Sequence, residues 1–205
     1  MIATHLEVLV EEPSAEAALR VLLPRVIGDT SFALRPYTCK DELLKRLPQR
    51  LRGYASWLPD DWRIVVVVDQ DDDDCTKLKR RLEVMAAEAG LATKSKPKRH
   101  RFAVVNRVAI EELEAWYFGD WEAVRRAYPK VNANIPSQAK YRSPDKIKGG
   151  TWEAFERVMK DAGYFQTGLR KIEAARAIAE HMDPARNTSP SFQALSNALS
   201  AITAA

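Results

Sequence analysis

Trp62-Arg63-Ile64-Val65-Val66-Val67-Val68-Asp69-Gln70-Asp71 is the stretch that decides the fold. Ile64 to Val68 is an unbroken branched aliphatic run. A strand with no polar alternation is covered on both faces, as a central strand of a parallel sheet is. The character of the chain then changes abruptly: five of the six residues from Asp69 to Asp74 are Asp. Carboxylates placed there stand beyond the C-terminal end of a buried strand. Open parallel sheets bind their ligands at that edge.

Outward from this stretch, the sequence alternates strand and helix patterns. Residues 6–10 form a short β-prone run that stops at Glu11-Glu12-Pro13-Ser14. Ser14 is expected to cap a helix over 15–26, with Leu19, Leu22, Leu23 and Val26 as its apolar stripe. Residues 31–37 read as a second strand. Residues 41–54 read as a helix that Pro48 should kink or end. Beyond the Asp run, a helix over 74–89 ends at Gly90, and residues 102–108 give a fourth strand. This alternation predicts βαβ units with right-handed crossovers. A 2-1-3-4 strand order would bring Glu11, Asp69 and Asp71 into one crevice. Helices are expected near 110–127, 151–162, 167–181 and 191–202. The predicted organisation is an α/β domain over 1–128 with a helical extension packed on it over 129–205.

The chain has 205 residues, with 32 Lys and Arg against 28 Asp and Glu and a net charge of +4. Apolar residues make up 46% and charged residues 29%, an ordinary globular balance that argues against disorder. No apolar run approaches the ~18 residues of a membrane span. The N-terminus lacks the basic stretch of a signal peptide. Cys39 and Cys75 have neither metal-type nor disulfide-framework spacing, so reduced thiols, a cytoplasmic location and no membrane attachment are expected. His5, His100 and His181 are scattered and form no Ser-His-Asp or Cys-His pattern.

Close carboxylates repel one another, and a hard divalent cation relieves the repulsion. Asp69 and Asp71, spaced by Gln70, suit Mg²⁺ or Mn²⁺. Glu11 either completes the site or acts as general acid/base with a raised pKa. Glu111, Glu112 and Glu114 follow the fourth strand on the same edge. Glu112 and Glu114 are candidates for a second ion, although acids also suit a helix N-terminus. Candidate nucleic-acid or phosphate contacts are Lys146, Lys148, Lys171 and Arg186, each with a structural alternative. Lys146 and Lys148 precede Gly149-Gly150-Thr151, where Thr151 is expected to cap a helix. Ser189 and Ser191 are expected to cap the last helix. Trp116, Tyr117 and Phe118 read as core. The basic run 94–101 falls on the opposite sheet edge.

Four segments together carry a resemblance: Val10-Glu11-Glu12-Pro13-Ser14-Ala15-Glu16, Val68-Asp69-Gln70-Asp71, Ile110-Glu111-Glu112-Leu113-Glu114-Ala115-Trp116, and Arg186-Asn187-Thr188-Ser189-Pro190-Ser191-Phe192. Their order resembles the Toprim domain, and most closely a bacterial Toprim-related family catalogued as domain of unknown function 4276. The resemblance implies a Toprim/Rossmann-like parallel sheet of about four strands flanked by helices. It also implies a Mg²⁺-dependent site acting on nucleic-acid phosphodiesters, with Glu11 as acid/base and Asp69 and Asp71 as metal ligands. Phage-defence or mobile-element loci and an ABC-type ATPase partner are further implications. The chain departs from the family pattern at Glu12, where Gly is usual, and at Ala15, where Glu is usual. Two other functions fit the same residues: a non-catalytic sensor or ATPase-binding subunit, and a nucleotide-sugar transferase with a DxD metal site. The transferase reading expects a nucleotide-base pocket at the first strand, where this chain has Glu11-Glu12-Pro13.

Overall fold

Four strands form where the apolar runs predict them: β1 (His5–Val10), β2 (Ser31–Pro36), β3 (Trp62–Asp69) and β4 (Val104–Ala109). They make one all-parallel sheet in the order β2-β1-β3-β4, the expected 2-1-3-4 arrangement. The computed structural model describes residues 2–99 and 101–203, so His100 lies outside the described residues. Val10 pairs with Pro36 and Val67, and Asp69 pairs with Ala109, so the four C-terminal ends share one edge.

Both sheet faces are covered, as the aliphatic run requires. Ile64, Val66 and Val68 pack under α2 (Lys40–Ala55) and α3 (Cys75–Glu88), against Leu43, Leu47, Leu51, Leu78 and Leu82. Val65 and Val67 face the other way, into a core shared with α1 (Pro13–Ile27) and the C-terminal helices. These helices are α4 (Glu114–Gly119), α5 (Trp121–Ala127), α6 (Thr151–Asp161), α7 (Lys171–Ala179) and α8 (Pro190–Thr203). Arg25, near the end of α1, donates to the carbonyls of Ala179, Met182 and Glu180 at 3.0, 3.0 and 2.7 Å. Its guanidinium thereby satisfies orphan carbonyls at the end of α7. Among the described residues, no helix is long and apolar enough to cross a membrane.

Several local expectations need correction. Glu12 occupies the N-cap position of α1 with Pro13 following, and the Ser14 hydroxyl donates to the Glu12 carboxylate instead of capping. Helix α2 runs through Pro48 to Ala55. An interior proline costs a helix about 3 kcal/mol. Each buried leucine on that helix recovers about 1.5–3 kcal/mol, so packing wins. The helix expected over 110–127 is two helices. Glu111 takes a left-handed φ of 61°, and Asp120 breaks the chain between α4 and α5. Trp116, Tyr117 and Phe118 are buried, as expected. Phe118 lies between Trp121 and Tyr141 at 5.6 and 5.1 Å, joining α4 and α5 to the following loop.

Gly119 closes α4 against the segment 187–189. A Cβ there would overlap the Asn187 carboxamide oxygen and stand 2.8 Å from the Ser189 nitrogen. Thr188 also donates its N–H to the Gly119 carbonyl at 2.8 Å. Gly119→Ala is expected to destabilise the fold by about 1–3 kcal/mol, read by thermal or denaturant unfolding. An unchanged midpoint would contradict this close approach.

Candidate metal centre

Three carboxylates meet at the C-terminal sheet edge. One oxygen each from Glu11, Asp69 and Asp71 lies within 4.8 Å of the others. Glu11 follows β1, Asp69 ends β3, and Asp71 occupies the loop beyond it. Adjacent parallel strands make the contact unavoidable. The Asp69 N–H donates to Glu11 Oε2 at 2.9 Å, and Asp69 Oδ2 accepts from the Leu113 N–H at 3.3 Å. The loop is tied to the end of β4: the Gln70 N–H donates to the Ala109 carbonyl and the Asp71 N–H to the Glu111 carbonyl, both at 2.8 Å. Asp71 and Glu111 both have positive φ, 48° and 61°. Such backbone is costly for non-glycine residues and clusters at functional sites.

Lys40, which the sequence reading missed, organises this loop. Its Nζ reaches Asp71 Oδ2 at 2.7 Å and Asp73 Oδ2 at 2.8 Å. It also donates to the Asp69 and Gln70 carbonyls at 3.2 and 3.0 Å. One signal was present in the sequence: a cation at the start of a helix opposes the helix dipole, so it needs a compensating partner.

The charges in this cluster oppose one another. Burial pushes the Glu11 carboxyl up to about 7, with the Asp71 charge adding to it and the Asp69 N–H and Lys40 pulling back. Burial also raises Asp69, followed by Glu11 and Glu114. Glu114, wholly buried at the start of α4, is pushed up to about 7 by burial, against the pull of Lys171. Glu114 Oε2 and the Tyr117 hydroxyl beside it have no hydrogen-bond partner among the described residues. Lys171 is held above its ordinary pKa although burial opposes this, because Glu114, Glu12, Glu112 and Asp69 all face it.

The remaining expected site residues separate. Glu112 turns away from the three-carboxylate group. Its Oε2 accepts from the Thr151 hydroxyl at 2.9 Å and the Trp152 N–H at 2.8 Å, capping α6 from a distance. Thr151 is therefore the first residue of that helix and Gly150 its cap position. A helix start already served by a carboxylate has less to offer a phosphate. Glu112→Ala is expected to cost about 0.5–2 kcal/mol of stability, typical for a lost cap. Its Mg²⁺ affinity should match wild type, and a large loss of ion binding would instead make Glu112 a ligand.

Arg186 makes a two-pronged pair with buried Asp120, at 2.7 and 2.9 Å. Its guanidinium is thus committed to a structural partner. Lys146 and Lys148 are exposed and form no ion pair among the described residues. Between them and the last helix, Asp145 accepts from the Ser189 hydroxyl and the Ser191 N–H at 2.6 and 2.7 Å. Ser189 caps α8 through the Phe192 N–H, as expected, whereas Ser191 lies inside that helix and its hydroxyl accepts from the Trp116 indole N–H; Asp74 caps α3 through the Lys77 N–H. Burial and the Asp74 charge push the Cys75 thiol up, consistent with a poor thiolate.

Fold and site together define a class: a parallel α/β protein with a partly buried carboxylate cluster at the C-terminal edge of its sheet. The chain belongs to the family described as domain of unknown function (DUF4276), whose model matches residues 10–200. No curated protein and no solved structure matches it.

Proposed function

We propose that the protein is a divalent-metal-dependent nuclease, or a related phosphoryl-transfer enzyme of Toprim type, acting on nucleic acid. The convergence of Glu11, Asp69 and Asp71 within 4.8 Å carries this reading. The donor set fits a hard cation: all three side chains offer carboxylate oxygen, and the two buried ones each accept one backbone N–H among the described residues, with Lys40 and Lys171 only partly offsetting their charge. Asp69 and Asp71 would hold Mg²⁺ or Mn²⁺. When bound, the ion would neutralise charge developing on the reacting phosphate.

The chain's own groups supply the rest. Glu11, with its pKa near 7, is poised to take a proton from an attacking water or give one to a leaving oxygen at neutral pH. Lys171 adds a fixed positive charge facing the acidic cluster, where a transferring phosphate gains from it. Lys40 holds the Asp71 loop in place before substrate arrives.

The test is incubation of labelled single- and double-stranded DNA and RNA with the protein in Mg²⁺, in Mn²⁺ and in EDTA. Cleavage of at least one substrate that EDTA abolishes is expected. Absence of cleavage from all four, with no ion uptake, would end this reading and leave the non-catalytic subunit.

A further inference from the structure

We propose that the cleft between edge strand β2 and helix α2 is a groove for single-stranded nucleic acid that leads to the carboxylate cluster. The proposal rests on the nuclease reading for its substrate class, but its observations come from another part of the fold.

The cleft holds about 590 Å³, and Arg35, Tyr37, Arg46, Arg50, Gly53 and Trp57 are among its lining residues. Its charges differ in commitment. Arg35 is bound to buried Glu7 through Nε at 2.9 Å and a second nitrogen at 3.2 Å, while the Tyr54 hydroxyl donates to the same carboxylate at 2.7 Å. That network fixes one wall. Arg46 and Arg50 lie one helical turn apart on the other wall. Arg46 is itself exposed and its one ion-pair partner among the described residues is the half-buried Glu42, four residues back at 3.0 Å. Arg50 leans over the Tyr54 ring at 5.6 Å and has no carboxylate within ion-pair distance among the described residues. Pairs of this kind hold an exposed guanidinium weakly, so both arginines are available to an anion.

The cleft also carries an aromatic platform. Trp57 is 53% exposed, with Tyr54 and Trp62 against it at ring separations of 5.4 and 5.8 Å. Exposed indole beside arginine suits an unstacked base with its phosphate, the combination that single-strand binders use. An acidic peptide would use the arginines and leave the indole idle. A duplex would keep its bases stacked and out of reach.

Gly53 supplies an independent observation. It sits in the last turn of α2, where its carbonyl accepts from the Ser56 N–H and hydroxyl. Its backbone needs no positive φ, and a Cβ there would meet nothing within 4 Å. Without a side chain, Gly53 leaves this part of the cleft open.

The groove points at the metal centre. At its upper end, the Tyr37 N–H donates to the Val10 carbonyl at 2.9 Å, one residue before Glu11. Helix α2 begins at Lys40, which grips Asp71 and Asp73, and runs from that edge towards Trp57. A strand lying along α2 would therefore end at the carboxylates.

The test is anisotropy of a short labelled oligothymidylate in EDTA, where cleavage cannot interfere. Wild type should bind it more tightly than a duplex of the same sequence, thymidine monophosphate or polyglutamate. Arg46→Ala/Arg50→Ala should weaken binding about tenfold or more, and lower the salt dependence of log K by about 1.4 for two lost phosphate contacts. Trp57→Ala should weaken it about fivefold or more, with Trp57→Phe restoring most of the loss. Gly53→Leu should fill the groove and weaken binding while melting no lower than wild type. Wild-type binding by all these variants would overturn the groove, as would equal affinity for the monophosphate, the duplex or polyglutamate. Mg²⁺ uptake measured in parallel separates the two proposals. Strand binding without ion uptake removes the enzyme and keeps the groove, and the reverse result removes the groove and keeps the enzyme.

Discussion

Asp69→Asn is expected to lower metal-dependent cleavage by about 100-fold or more, while raising the melting temperature of the metal-free protein. The two effects have one cause. Asn keeps the size of Asp and an oxygen to accept from the Leu113 N–H at 3.3 Å, but it removes a charge buried beside Glu11 and Glu114. An ion then loses a ligand, and the empty fold loses a repulsion. The pH dependence has a definite sign. A carboxyl whose pKa is raised in the folded state holds more protons there than when unfolded. Its contribution to stability therefore declines as pH climbs from the ordinary value through the raised one. For Glu11 that window runs from 4.5 to about 7. The melting temperature of the metal-free wild type should fall across this window, and Asp69→Asn should fall less. Full cleavage by Asp69→Asn, or a lower melting temperature, would contradict the account.

Asp120→Ala is expected to be the most damaging change outside the sheet, costing about 3 kcal/mol. In a chain of this length, that lowers the melting temperature by roughly 6–12 °C. The Asp120 side chain is fully buried and serves four donors. It caps α5 through the Ala123 N–H at 3.3 Å, accepts from the Asp183 N–H at 2.8 Å, and takes both prongs of Arg186. One carboxylate thus joins the α4–α5 break to the segment before α8. Removing it leaves the Asp183 N–H without its acceptor and takes from Arg186 its two shortest bonds, leaving the His181 carbonyl at 3.1 Å and Asp183 at 3.8 Å (an unmade hydrogen bond in a buried place costs more than a formed one contributes). Thermal unfolding of Asp120→Ala checks this, and a wild-type midpoint would return Arg186 to the phosphate-binding candidates.

The sheet was legible because its signals are local. Ile64 to Val68 can only be a strand covered on both faces, and Asp69 to Asp74 can only begin at its end. Glu11 and Asp69 were legible together because parallel pairing puts strand ends side by side. What escaped were partners chosen across long separations. Arg186 finds Asp120 at 66 residues' distance, and Glu112 finds the start of α6 about 40 away. No pattern in a single sequence ties such positions together. Lys40 lies 31 residues before Asp71 by its numbering, and only its awkward place at a helix start marked it. The break at Asp120 had a local sign, Gly119-Asp120, which suits the end of one helix and the cap of the next. The strength of the apolar pattern over 110–127 masked it.

In the function proposed above, Asp69 and Asp71 hold one divalent cation beside Glu11. Calorimetric titration of Mg²⁺ into wild type, Asp69→Asn and Glu112→Ala tests it most directly. Saturable binding is expected for wild type and Glu112→Ala, and binding lost or weakened about tenfold or more for Asp69→Asn. Equal binding by wild type and Asp69→Asn, or no binding to any of the three, would contradict it.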